Sequence, residues 1–148
     1  MQAGLVYIAS SASQLVVTST LTPIVNSTIA LISSLRRVGD QTVTLQDIIQ
    51  KHDIECTLQT IEATCNTMHC DKEPLQTACL HVVAGVGQIH TLLTRIADLT
   101  ASHNAGYVSR WRQLNIDAEI LQLENHMFVL SKRFNLLCDI HSVVVVKD

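Results

Sequence analysis

The chain has 148 residues and a net charge of −3, with 47% hydrophobic, 16% charged and 3% aromatic residues. A chain of this length buries enough surface to fold as one domain without a metal or disulfide. So apolar a composition with so little charge excludes a disordered chain, and thirteen acidic against ten basic residues argue against a broad phosphate-binding surface, hence against nucleic acid as a partner.

The most informative feature is a gap in the charge. Residues 1–35 contain no ionic side chain, and the first charges are the pair Arg36-Arg37. Residues 15–33 are long enough for a membrane span, and the arginine pair would make a suitable cytoplasmic flank. They also contain Thr18, Ser19, Thr20, Thr22, Pro23, Asn26, Ser27 and Thr28, which is a high hydroxyl content for a span. Three readings stay open: a buried bundle helix, which is preferred, a helix that docks on a partner or a membrane surface, and a transmembrane span. Leu5, Ile8, Ala12, Leu15 and Val16 fall on one helical face, and Leu21, Val25, Thr28, Ile32 and Leu35 do so again. This predicts two helices, or one kinked helix, joined near residues 19–23, with Pro23 in a tolerated first-turn position.

Residues 38–44 read as a turn-like linker, after which Leu45, Ile48 and Ile49 open a short helix. Asp53 is placed to cap the next helix, whose stripe is Ile54, Leu58, Ile61, Cys65 and Met68. Residues 70–74 form a connector, and Pro74 suits the first turn of a third amphipathic helix. There Leu75, Val82, Val86, Ile89, Leu93 and Ile96 follow a coiled-coil-like heptad register, with Cys79 filling the vacant site. Gly85 and Gly87, with Ala84, predict a notch for close approach by another element. The helix should end within residues 102–106, where Asn104 and Gly106 signal a loop. Tyr107, Val108, Trp111 and Leu114 follow, and Asn115 or Asp117 can start the last helix. Its stripe is Ile120, Leu123, Met127, Leu130, Phe134, Leu137 and His141, with Glu119, Glu124, Lys132 and Arg133 expected on the outer face. Four consecutive valines predict that residues 142–148 are extended.

The expected fold is all-α: one domain over residues 1–148, an antiparallel four- to five-helix bundle with a short extended C-terminal tail. Within it, residues 1–37 are the N-terminal helical segment, residues 45–141 the amphipathic helices and residues 142–148 the tail. No internal repeat supports a solenoid.

The chemistry-bearing residues do not assemble into a motif. Five cysteines, Cys56, Cys65, Cys70, Cys79 and Cys138, are an odd number without a CxxC, which favours a reduced, intracellular and cytoplasmic protein. The apolar start lacks a basic n-region, so a secretory signal is not supported, and the sequon Asn26-Ser27-Thr28 has meaning only with secretion. Cys65, His69 and Cys70 approach a zinc pattern, with Cys79 and His81 one connector away, but the spacing between Cys65 and Cys70 misses the usual ligand pairs. Cys65 with His69 and Cys138 with His141 have helical spacing, with nothing that would form an oxyanion hole. Di-iron Glu-x-x-His pairs are absent, since Leu58, Cys65 and Met127 follow Glu55, Glu62 and Glu124. There is no Gly-rich phosphate loop, HExxH or GxSxG. Arg110-Trp111-Arg112 and Lys132-Arg133-Phe134 are the basic spots with aromatics, and they read as helix-surface charges beside core rings. No cofactor and no metal are expected.

The leading expectation is a non-enzymatic bundle acting through protein–protein contacts: an assembly, adaptor or structural subunit such as a virion or coat component, binding another chain or a second copy of itself. Candidate contact residues are Leu5, Ile8, Leu15, Ile24, Ile29 and Leu31 in the uncharged segment and Val143, Val144, Val145 and Val146 in the tail. The alternative is a membrane-associated or membrane-active bundle using residues 1–37 in lipid, with Arg36 and Arg37 at the head groups. An apolar first helix followed by two long amphipathic helices loosely resembles the membrane-active bundles of cell-death executioners. That resemblance implies action in lipid, and the net acidic charge departs from their basic surfaces.

Overall fold

Among the described residues, five α-helices pack around one apolar core. A computed structural model describes residues 20–36, 43–68, 72–106 and 114–147. Helix α1 spans residues 20–36, α2 Val43–Lys51, α3 Ile54–Thr67, α4 Leu75–Ala105 and α5 Asp117–Lys147. No strand occurs among the described residues.

The stripe read on α1 is its core face: Leu21, Val25, Thr28, Ile32 and Leu35 are all buried. Thr28 satisfies its hydroxyl internally by donating to the Ile24 carbonyl at 2.7 Å, so a polar group sits in the core without a deficit. Arg36 pairs with Glu55, and Asn66 Nδ2 donates to Thr22 Oγ1 at 3.5 Å. The end of α1 therefore meets the start of α3, so the two run antiparallel. Ser27 Oγ lies 3.0 Å from His90 Nε2 and ties α1 to the middle of α4.

Leu45, Ile48 and Ile49 of α2 are buried, and so are Ile54, Leu58, Ile61, Cys65 and Met68 along α3. Asp53 separates the two helices, as its position suggested, but by a different mechanism. It adopts a left-handed backbone (φ 47°, ψ 53°) and makes no side-chain cap hydrogen bond. Its backbone N–H instead donates to the Gln50 carbonyl at 3.1 Å, closing α2, while its carbonyl accepts from Thr57. Aspartate tolerates this conformation better than most L residues.

Helices α4 and α5, each 31 residues long, form the main hairpin. Arg133 Nη1 donates to the His81 carbonyl at 3.1 Å, Leu130 meets Gly85, and Arg95 pairs with Glu119 at 3.7 Å. Rising numbers on one helix meet falling numbers on the other, which makes the pair antiparallel. The heptad set of α4, Leu75, Cys79, Val82, Val86, Ile89, Leu93 and Ile96, is buried without exception. Each such aliphatic side chain contributes roughly 1.5–3 kcal/mol when fully buried. The two glycines separate in role. A Cβ at Gly85 would lie 3.0 Å from Leu130 Cδ1, whereas one at Gly87 would meet nothing within 4 Å. Gly85 is thus the point of close approach, and Gly87 opens outward. On α5, Ile120, Leu123, Met127, Leu130 and Leu137 are buried, and Phe134 packs against them half-covered.

Two expectations need correction. The tail is not extended: α5 continues without a break through Lys147. No glycine or proline interrupts residues 117–147. Each added valine costs about 0.7 kcal/mol or less in helix propensity, which does not outweigh propagation of a helix already formed. Glu119, Glu124 and Arg133 do not simply dress an outer face either. They are half-buried at the edges of α5 and reach Arg95, the Lys51–His52 pair and the His81 carbonyl.

Candidate interaction surface

Helix α5 carries a second apolar stripe. Leu121, Phe128, Leu136 and Val143 are 70%, 58%, 56% and 54% exposed. Their spacing of seven, eight and seven residues keeps them within an arc of about 80° at 100° per residue, diametrically opposite Leu123, Leu130 and Leu137. Scattered surface leucines are ordinary, but a periodic row along one helix is not scatter. Lys132 covers part of the row, its ammonium 4.4 Å from the centre of the Phe128 ring.

Charge is sparse on this side. The exposed residues of α5 between Asp117 and Lys132 are Ala118, Leu121, Gln122, Asn125, Phe128 and Ser131, none ionic. Across the hairpin, residues 75–94 of α4 contain no Asp, Glu, Lys or Arg, although Leu80, His81, Ala84, Gln88 and Thr91 face out. Between the two helices runs a groove of about 540 Å³, lined by Ala84, Gly87, Gln88, Thr91, Leu92 and Arg95 from α4 and by Gln122 and His126 from α5. The open side of Gly87 forms part of its floor. A smaller hollow of about 380 Å³ lies where Pro74 meets Ile140, Val143 and Val144.

The residues singled out from sequence distribute differently. Leu5, Ile8, Leu15 and Arg37 lie outside the described residues. Ile24, Ile29 and Leu31 are half-buried and pack on the core from the flanks of α1. Arg36 is held by Glu55. Val143 is exposed and Val144 half-buried, and Val145 and Val146 belong to the last turns of α5. The row on α5 includes one residue that was among the sequence candidates, Val143, and three that were not, Leu121, Phe128 and Leu136. Its signal was present as a 3–4 alternation running through Leu121, Asn125, Phe128 and Lys132 beside the core stripe, masked by its interleaved polar residues.

The chemical candidates do not converge. Among the described residues, no group of three or more His, Cys, Asp or Glu side chains could hold a metal ion. His69 and Cys70, which entered the zinc pattern, lie outside those residues, as does Arg110-Trp111-Arg112. Cys65 and Cys79 are buried in the core, and no disulfide links the four described cysteines. Burial, with the Asp139 carboxylate next to it, pushes the Cys138 thiol above its ordinary pKa, the opposite of an activated nucleophile. Lys132, Arg133 and Phe134 are each engaged within the chain, by the Phe128 ring, the His81 carbonyl and the core.

No family model matches the chain, no curated protein does so, and no solved structure does so.

Proposed function

We propose that this protein is a non-enzymatic helical bundle that acts through protein–protein contacts, as an assembly, adaptor or structural subunit such as a coat or virion component, in a reducing, cytoplasmic setting. The observation that carries this reading is the exposed row Leu121–Phe128–Leu136–Val143, whose first half lies where α5 exposes no ionic side chain between Asp117 and Lys132. Apolar side chains in a row favour burial against a matching surface, and low charge keeps the desolvation cost of that burial small. The four described cysteines form no disulfide with one another, in agreement with a reducing compartment.

The test is photo-cross-linking from the proposed face. A benzoyl-phenylalanine probe at position 121 or 128 should give discrete protein adducts in an extract of the native cells, whereas the same probe at the exposed Thr60 of α3 should not. Equal labelling at all three positions, or no protein adducts at any, would overturn the reading.

A membrane-associated bundle is the second reading, and one observation favours it. Helix α4 is long and apolar enough to cross a membrane by length and composition. Core helices of bundles meet the same criterion, and α4 uses its heptad face inside the core. Flotation of the chain with liposomes, abolished by Leu80→Gln together with Leu121→Gln, would favour lipid over protein.

A further inference from the structure

We propose that the occupant of the α5 face is α5 of a second copy of this chain, packed antiparallel about a two-fold axis between Glu124 and Asn125. This rests on the reading of that face as a protein-contact surface and specifies its partner.

The row itself supplies the argument. In an antiparallel homodimer a residue a given number of positions before the axis meets the residue the same number after it. Leu121 and Phe128 are symmetric about the point between Glu124 and Asn125. So are Asp117 and Lys132, the only charged residues among the fully exposed positions from 117 to 132. One axis therefore does two independent things. It interleaves two apolar side chains with two, and it sets each carboxylate opposite an ammonium at either end. Ala118 and Ser131, both small, also become opposite partners and let the helices approach. The charge pattern is self-complementary when antiparallel and self-repelling when parallel and in register, since Lys132 would then face Lys132 and Asp117 face Asp117.

The surroundings agree with that axis. The α4–α5 groove lies beside this stretch, because Arg95 pairs with Glu119 at one end and Gly85 meets Leu130 at the other. A Cβ at Gly87 would meet nothing within 4 Å, so the groove keeps open space at that point. Lys132 follows Phe128 in the row by four residues, its ammonium 4.4 Å from that ring's centre, at the end of the contact where the second copy's Asp117 would fall. The contact is short, about 22 Å at 1.5 Å per residue between Asp117 and Lys132. It belongs with small, reversible interfaces, which dissociate on dilution.

The test is a charge swap read by sedimentation and light scattering of the full chain. The native chain should shift from 16.3 kDa to twice that mass as concentration rises. Asp117→Lys and Lys132→Asp should each weaken dimerisation at least tenfold at low salt, and the double variant should return to within about threefold of native. Phe128→Glu should leave a monomer. All three positions are exposed, and an unchanged helical circular-dichroism signal and unfolding midpoint confirm that each variant folds. A native chain that stays monomeric into the millimolar range, single swaps without effect, or a double swap without recovery overturns the proposal. The two readings fail separately. A monomeric chain whose residue-128 probe still captures a different protein removes the self-pairing and leaves the contact surface. A chain with no protein adduct from that probe removes both.

Discussion

Helix α1 carries no charge before Arg36, yet its apolar stripe is covered by the bundle's own core. Helix α5 carries charges along its length, yet it keeps two apolar stripes, one inward and one outward. The difference teaches that absence of charge and availability for contact are separate properties. On α1 the exposed face is made mostly of small and polar residues, Asn26, Ser27, Ala30 and Ser34 among them, and carries no large exposed hydrophobic side chain. On α5 Glu119, Glu124 and Arg133 sit at the edges, where they reach neighbouring helices, and leave Leu121, Phe128, Leu136 and Val143 exposed.

The sharpest break of this comparison is a pair of alanine substitutions. Ile32→Ala in α1 removes a fully buried side chain and should cost about 2–5 kcal/mol in urea unfolding. Phe128→Ala in α5 removes a larger but exposed one and should stay within about 0.5 kcal/mol for the monomer. A large loss from Phe128→Ala would mean that the outer row is packed within the chain. Next in size is the hairpin spacing. Gly85→Leu drives a side chain into Leu130 and should destabilise by about 1–3 kcal/mol, while Gly87→Ala should stabilise by about 0.5–1 kcal/mol through helix propensity alone. Thermal midpoints moving in opposite directions would confirm that only one of the two glycines marks a close approach.

Smaller effects sharpen the edges of the picture. Arg36→Ala breaks the pair with Glu55, half-exposed on the arginine side, and should cost roughly 1 kcal/mol or less, shrinking with salt. Cys138 should show the weakest effect, visible only in alkali. Its folded thiol holds the proton more tightly than the unfolded one, because burial and Asp139 oppose the thiolate. Stability is therefore flat below the ordinary thiol range and falls as pH rises through the raised folded value. Cys138→Ser should remove that slope in a pH series of denaturation curves, and at neutral pH alkylation should be faster at the exposed Cys56 than at Cys138.

Much of the fold is legible in sequence because each core stripe repeats at helical spacing. The second α1 set, the α3 set and the α4 heptads are all buried as their spacing requires. Pro74 and Gly106 mark the two ends of α4 as their chemistry suggests. Two local features escape. Four valines read as extended because β-branching is a local property, whereas helix propagation depends on the turns that precede them. Asp53 reads as a side-chain cap because the residue type allows it, whereas its left-handed backbone is set by the junction with α2. The contact surface escapes for another reason. Asn125, Lys132 and Asp139 interrupt the outer row, so composition hides it, and its exposure follows only once the inward face of α5 is fixed.

The order of the helices also shapes how the chain is born. The α4–α5 hairpin joins neighbours in sequence, so its closure is a local, rapid event. The partners of α1, Glu55, Asn66 and His90, all follow it along the chain. During synthesis the apolar stripe of α1 therefore emerges before these partners and is covered only as α3 and α4 follow.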